Sequence, residues 1–373
     1  MRKVVFVISS TDRGGAERQA FNLGKGLQEK ALADVSFVCY KTNPNGLFLR
    51  DLKDSGMKYF TLPGFVRVSN FRLRCVLRFL VLFRQISVLY AADILMPYAY
   101  EMNLYVGLFM LLKRKTKCIW NQRDEGVGYF APWLKNTVMK RFDFFISNSF
   151  GGRLFLEQMV TASVGKNRII YNGVEIDKMQ TSVPIIDSKN ERFTICMVAN
   201  LQPLKDHLTL VKAMNYLKNE IHYKALPYLL FAGYKGGTYP ILLDYVNKHH
   251  LNEDVRFLGE VDNPQSLYVS ADIVVLSSKS EGCSNSLIEA MMLNCPIIAT
   301  DIPSIRDMVS DMGASALFRV GDYVGFSDIL VKLIEDKDLR TEIGKTNYLK
   351  AKERYTLSTL LEHTTHVFEQ LKV

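Results

Sequence analysis

Two carboxylates eight positions apart, Glu281 and Glu289, flank a stretch able to bind phosphate. Ser277–Thr300 reads S-S-K-S-E-G-C-S-N-S-L-I-E-A-M-M-L-N-C-P-I-I-A-T. Ser284, Asn285 and Ser286 are all good N-cap residues, so a helix is expected to start there and run over about Asn285–Leu293. Its free N–H groups and positive dipole end would face the loop holding Glu281 and Gly282, and such an end takes up phosphate. Acids around a phosphate site make sense for a mixed ligand: phosphate for the N–H groups and sugar hydroxyls for the carboxylates. A second account is purely structural, since Ser286 and Glu289 have the S-x-x-E spacing of a capping box. That account leaves Glu281, Gly282 and the apolar A-M-M unexplained.

The elements that must carry this loop are legible on both sides of it. Apolar runs at Asp272–Leu276 and Pro296–Thr300 make it a strand–loop–helix–strand unit of a parallel sheet. Similar runs recur at Lys3–Ser9, Asp34–Tyr40, Met57–Leu62, Asp93–Met96, Lys117–Asn121, Asp143–Ser147, Phe193–Ala199, Tyr228–Ala232 and Val255–Leu258, alternating with helical stretches. Alternation of this kind is the mark of doubly wound α/β domains. A chain of 373 residues is too long for one ordinary core, which implies two domains. The polar linker Gln180–Arg192 places the boundary, giving residues 1–180 and 181–355, with a last helix over 356–373.

The stretch S278-K-S-E-G-C-S-N-S-L-I-E-A-M291 resembles the donor site of retaining glycosyltransferase family 4. D12-R-G-G-A-E-R18, I146-S-N-S149 and Y171-N-G-V174 are similar to that family as well. The resemblance implies a GT-B fold of two Rossmann-like domains facing across a cleft, the acceptor on the first and the nucleotide-sugar donor on the second, with the last helix crossing back to the first domain. It implies transfer of a sugar from a nucleotide diphosphate, UDP favoured, to an acceptor hydroxyl with retention at the anomeric carbon. Glu281 and Lys205 are the implied catalytic residues. Gly15, Asn200, Lys205, Val261, Glu281, Gly282, Cys283, Ser284, Asn285, Ser286, Leu287 and Glu289 are the implied donor-binding set, with Glu289 on the ribose. Gly14, Arg123 and Asp124 are the implied acceptor-binding residues.

The chain departs from the family twice. Asn200 stands where the family has a diphosphate-binding arginine, and no histidine occurs before His207, although the family often has one in the region of Trp120–Phe130. Paired glycines, Gly14-Gly15, are expected to let the backbone turn tightly after the first strand. The dinucleotide fingerprint G-x-G-x-x-G of a dehydrogenase is missing there. Asp336-Lys337-Asp338 is an isolated D-x-D among other charges and is expected to be a solvated helix surface. No histidine or cysteine spacing suits zinc, so neither metal nor cofactor is expected beyond the nucleotide-sugar co-substrate.

Charge and length narrow the partners. Net charge is +9, with 27 basic against 14 acidic residues in 1–180 and 20 against 24 in the remainder. The positive half points to an anionic membrane surface or a phosphorylated acceptor, such as a lipid-linked glycan of capsule, O-antigen or exopolysaccharide assembly, and not to nucleic acid. Val68–Tyr90 interleaves Arg72, Arg74, Arg78 and Arg84 with apolar residues. It suits a helix lying on a membrane, or equally a packed helix whose arginines reach water. Six scattered cysteines and no signal peptide favour a reducing cytoplasm, with the protein peripheral on the inner face of the membrane. Two rival functions use the same residues: a retaining glycoside hydrolase with paired acids, or a non-catalytic nucleotide-sugar sensor or membrane scaffold.

Overall fold

A computed structural model describes residues 1–12, 14–61, 91–98, 100–111, 115–126, 137–159, 163–175, 192–224 and 226–372. The basic stretch Val68–Tyr90 and nearly all of the expected linker Gln180–Arg192 lie outside these residues.

The chain divides into two compact units, Met1–Gly173 with Leu357–Val373, and Val174–Thr356. The first division falls at Gly173, seven positions before the expected Gln180; Asn172 and Gly173 accept from Arg123 and donate to Gln19 of the first unit, respectively.

The first unit runs β1 (Lys3–Ser10), α1 (Gly15–Glu29), β2 (Asp34–Lys41), α2 (Leu47–Asp54), β3 (Lys58–Thr61), β4 (Ile94–Pro97), α3 (Tyr100–Phe109), β5 (Lys117–Gln122), β6 (Phe144–Ser147), α4 (Phe150–Met159) and β7 (Asn167–Ile169). Its sheet has the order β3-β2-β1-β4-β5-β6-β7 with every pair parallel.

The second unit runs β8 (Thr194–Val198), α5 (His207–Asn219), β9 (Tyr228–Ala232), α6 (Tyr239–Lys248), β10 (Val255–Gly259), α7 (Pro264–Ser270), β11 (Ile273–Leu276), α8 (Asn285–Met292), β12 (Ile297–Thr300), α9 (Pro303–Met308), β13 (Leu317–Phe318), α10 (Tyr323–Glu335) and α11 (Lys337–Arg354). Its order, β10-β9-β8-β11-β12-β13, repeats that of the first six strands of the seven-stranded first sheet, again all parallel.

Continuous apolar strands follow from helices covering both sheet faces. In β1, Val4, Phe6 and Ile8 pack on one face with Ala20, Leu23 and Leu27 of α1. Val5 and Val7 pack on the other with Met102 and Val106 of α3. The last helix, α12 (Leu357–Gln370), is part of the first core: Leu360, Leu361, Val367 and Phe368 are buried in it, and Leu361 lies against Gly26 of α1.

Asp336 accepts the Leu339 N–H at 2.8 Å and so caps α11, which accounts for one acid of the D-x-D. Among the described residues no helix is long and apolar enough to cross a membrane. Cys39, Cys118, Cys196, Cys283 and Cys295 are free and buried.

Candidate active site

In a doubly wound sheet the strand order reverses where the first strand meets the fourth, and loops at the C-terminal strand ends open a crevice there. In the second unit that point lies between β8 and β11. The loop after β8 carries Asn200 and Lys205, and the loop after β11 carries Glu281. They meet: the Lys205 ammonium forms an ion pair with Glu281. Ser278 donates to the same carboxylate at 2.6 Å. Ser277 sews the loops together, its hydroxyl donating to the Lys205 and Asp206 carbonyls at 3.0 and 3.1 Å. Lys279 adds its N–H to Leu204 O at 2.8 Å. Glu281 is only 10% exposed, so the lysine and the serine hydroxyl replace most of the water around its carboxylate.

The helix behind this loop begins as expected, at Asn285. Its cap is Ser284, whose hydroxyl accepts the Leu287 N–H at 3.5 Å and lies 3.0 Å from the Ser286 hydroxyl. The capping-box account of Ser286 and Glu289 therefore falls, because Ser286 is already inside the helix and Glu289 lies in its middle, 4% exposed. Leu287 is also buried and its N–H is taken by Ser284, so its side chain and amide are both committed within the fold. Gly282, Cys283 and Ser284 are buried in the loop, while Asn285 and Ser286 are half-exposed at the amino end of α8.

Asn200 is exposed, and its side-chain oxygen accepts the Tyr234 N–H at 3.1 Å, latching the loop after β8 to the loop after β9. The same contact needs Gly233, whose φ is +147° and whose place a Cβ could not fill, because it would lie 2.3 Å from Ala199 O. Val261 follows β10 and is half-buried. His207 opens α5, two residues past Lys205, with its ring edge-on to Phe231 at 5.0 Å between centroids. Burial lowers its pKa to about 4, so the ring is neutral at physiological pH.

The first unit brings its own polar groups to the C-terminal edge of its sheet. Gly14 caps α1 with φ −107°, and neither Gly14 nor Gly15 has a positive φ. The Glu17 carboxylate lies close to Gly14, 2.5 Å from where a Cβ would stand. Glu17 was not anticipated as a site residue. Its carboxylate accepts the Ser9 hydroxyl at 3.0 Å, and burial raises its pKa above the usual carboxylate value. The signal for it in the sequence is slight: an acid three residues after the capping glycine, the spacing at which a side chain can reach back to the cap.

Arg123 and Asp124 follow β5. Asp124 Oδ1 accepts from the Gln122 amide at 2.7 Å and from the Gly126 N–H at 2.8 Å. Arg123 lies over the Tyr98 ring and donates to Asn172, which lies in the Y-N-G-V stretch. Asn148, of the I-S-N-S stretch, is buried with its amide 3.4 Å from Arg123 O. Among the described residues no three His, Cys, Asp or Glu side chains converge as a metal site would require.

The fold and these loops define a class. The structure of Anabaena Alr3699/HepE in complex with UDP-glucose matches it with a TM-score of 0.83 at 17% identity, covering 100% of both chains, so the fold is GT-B. Residues 179–350 match the family described as glycosyl transferases group 1. Named relatives include N-acetyl-alpha-D-glucosaminyl L-malate synthase of Bacillus anthracis, 28% identical over 42% of this chain and 40% of that protein. A second is N-acetylgalactosamine-N,N'-diacetylbacillosaminyl-diphospho-undecaprenol 4-alpha-N-acetylgalactosaminyltransferase of Campylobacter jejuni subsp. jejuni serotype O:2, 27% identical over 63% of this chain and 66% of that protein. This chain thus matches less than two thirds of the length of either relative.

Proposed function

We propose that the protein is a retaining hexosyltransferase that moves a sugar from UDP to a hydroxyl of a lipid-linked glycan in bacterial polysaccharide assembly. The observation that carries this reading is the Lys205–Glu281 pair, held by Ser277 and Ser278 at the switch point of the second sheet beside the amino end of α8. A donor diphosphate gives Lys205 a doubly charged alternative to Glu281. Lysine then neutralises the leaving group together with the α8 dipole and the Asn200 amide, whose oxygen faces Tyr234. Glu281, released from the lysine, accepts hydrogen bonds from sugar hydroxyls and favours the positive charge that develops on the ring.

The bond from the anomeric carbon to the β-phosphate oxygen breaks, with its electron pair leaving on the diphosphate. The acceptor oxygen bonds to the same face of that carbon, and its proton passes to the departing phosphate. No protein base is required, which suits a chain whose Trp120–Gly126 stretch holds no histidine. Glu289 is assigned to the ribose hydroxyls, and the loops of the first unit around Gly14, Arg123 and Asp124 to the acceptor. The reading asks for no metal. UDP-glucose in the structurally similar protein and diphospho-undecaprenol in the name of the Campylobacter relative support the donor and acceptor classes. The protein would then work in the cytoplasm, peripheral to the inner face of the membrane.

The test is transfer of labelled sugar from a panel of nucleotide-sugars into lipid-extractable material, with Glu281→Ala as the blank. Transfer from a UDP-sugar that vanishes in the variant supports the reading. Absence of binding to every nucleotide in the panel would sink it.

A further inference from the structure

Among the described residues of the first unit, the charge of Arg123 has no counter-charge paired with it. Arg123 leaves β5 at the C-terminal edge of the sheet, and both of its partners are neutral: the Tyr98 ring, 5.0 Å from the guanidinium carbon, and Asn172 Oδ1. Its Nε is buried and makes no hydrogen bond. The two neighbouring acids are turned elsewhere. Asp124 closes its own loop on Gln122 and Gly126. Glu125 lies against Gly151 in the first turn of α4, where a helix amino end favours a carboxylate. Among the described residues no carboxylate forms an ion pair with Arg123.

A guanidinium that has lost part of its hydration without gaining a counter-charge is costly to hold. Here the cost is met by a ring face and an amide oxygen that fix the side chain in one place, so it is presented ready-made. Its planar set of N–H donors suits phosphate oxygens better than a hydroxyl or a neutral sugar.

We propose that Arg123 binds a phosphate ester of the acceptor, so that the acceptor substrate is recognised as an anion and not as a neutral glycan. This rests on the reading of the first unit as the acceptor side of a glycosyltransferase. The phosphate could belong to a prenyl diphosphate carrier or to a soluble sugar phosphate, and Arg123 recognises what the two share.

The experiment titrates the full chain, saturated with UDP to occupy the donor's phosphate site, with farnesyl diphosphate, glucose 1-phosphate and glucose. We expect at least one phosphate probe to bind and glucose not to. Arg123→Gln should weaken that probe tenfold or more, and Arg123→Lys should weaken it less. Preference for farnesyl diphosphate assigns the phosphate to a lipid carrier, and preference for glucose 1-phosphate to a soluble acceptor. In the wild-type protein, the bound probe should also shield Arg123 from phenylglyoxal, read by mass spectrometry, which needs no variant to fold. Equal binding by Arg123→Gln and wild type, no phosphate binding to the UDP-loaded protein, or no shielding overturns the proposal. UDP affinity comes from the same titrations: its absence sinks the transferase reading, whereas normal UDP binding without an Arg123-dependent phosphate site sinks this inference alone.

Discussion

The two sheets share a strand order, yet the loops at their switch points carry charge in opposite ways. After β8 and β11 a cation and an anion meet, Lys205 on Glu281, and the pair is further held by Ser278. At the corresponding edge of the first sheet the charges stand apart. Among the described residues Glu17 has hydroxyl and backbone hydrogen-bond partners, and Arg123 has a ring and an amide. The lesson is that one topology supports two kinds of readiness. A compensated pair stays stable when empty and, on the proposed reading, would exchange partners when a diphosphate arrives. An uncompensated group keeps its full attraction for a ligand of the opposite sign, at a standing cost in stability.

Four changes break or sharpen this contrast. Glu281→Ala removes the anion of the pair and the hydrogen bonds it would give the transition state. Turnover of labelled sugar should fall about 10²–10³-fold, while UDP affinity stays within a few-fold. A matching loss of UDP affinity would mean that Glu281 serves the nucleotide and not the reacting sugar. Lys205→Ala removes the cation. Loss of a charged hydrogen bond of about 1.5–3 kcal/mol should raise the Kd for UDP-sugar roughly 10- to 150-fold, measured by calorimetry. Unchanged affinity would show that the pair is structural, and the contrast with Arg123 would collapse.

A smaller loss is expected at Glu289→Ala: the proposed ribose hydrogen bonds would be worth about 1 kcal/mol each, so UDP should bind about 5- to 30-fold more weakly. A comparison of nucleosides, uridine against 2′-deoxyuridine, locates the effect: the wild type should prefer uridine and the variant should not. Equal preference in both proteins would remove the ribose role.

The mildest perturbation is pH. His207 beside Lys205 is held neutral by burial, with its pKa lowered from 6.5 to about 4, so the unfolded chain takes up a proton before the folded one does. Stability is fully present above pH 6.5 and falls as pH drops toward 4, by at most about 3 kcal/mol. Melting temperatures of wild type and His207→Phe across that range check this: the wild type should lose more, and parallel curves would assign the acid sensitivity to other groups.

Much of the architecture is written locally. The apolar runs mark the observed strands to within one or two residues at most positions, because a strand covered on both faces must be continuously apolar. The start of α8 at Asn285 follows from three small polar residues before an apolar run. The spacing of Glu281 and Glu289 and the presence of Lys205 are likewise visible in the chain. Which serine caps α8 is not, since Ser284 and Ser286 are equally suited by type and only the backbone path decides.

Tertiary structure alone decides which of these groups meet. Ser277 reaches the Lys205 and Asp206 carbonyls only because β8 and β11 are neighbours, although more than seventy residues separate them. Arg123 lacks a counter-charge only because Asp124 and Glu125, adjacent in the chain, are drawn to Gln122, Gly126 and α4. Propensity, capping and periodicity act over a few residues and are therefore legible in the sequence. Charge pairing acts through space, between loops whose proximity is set by the order of strands in a sheet.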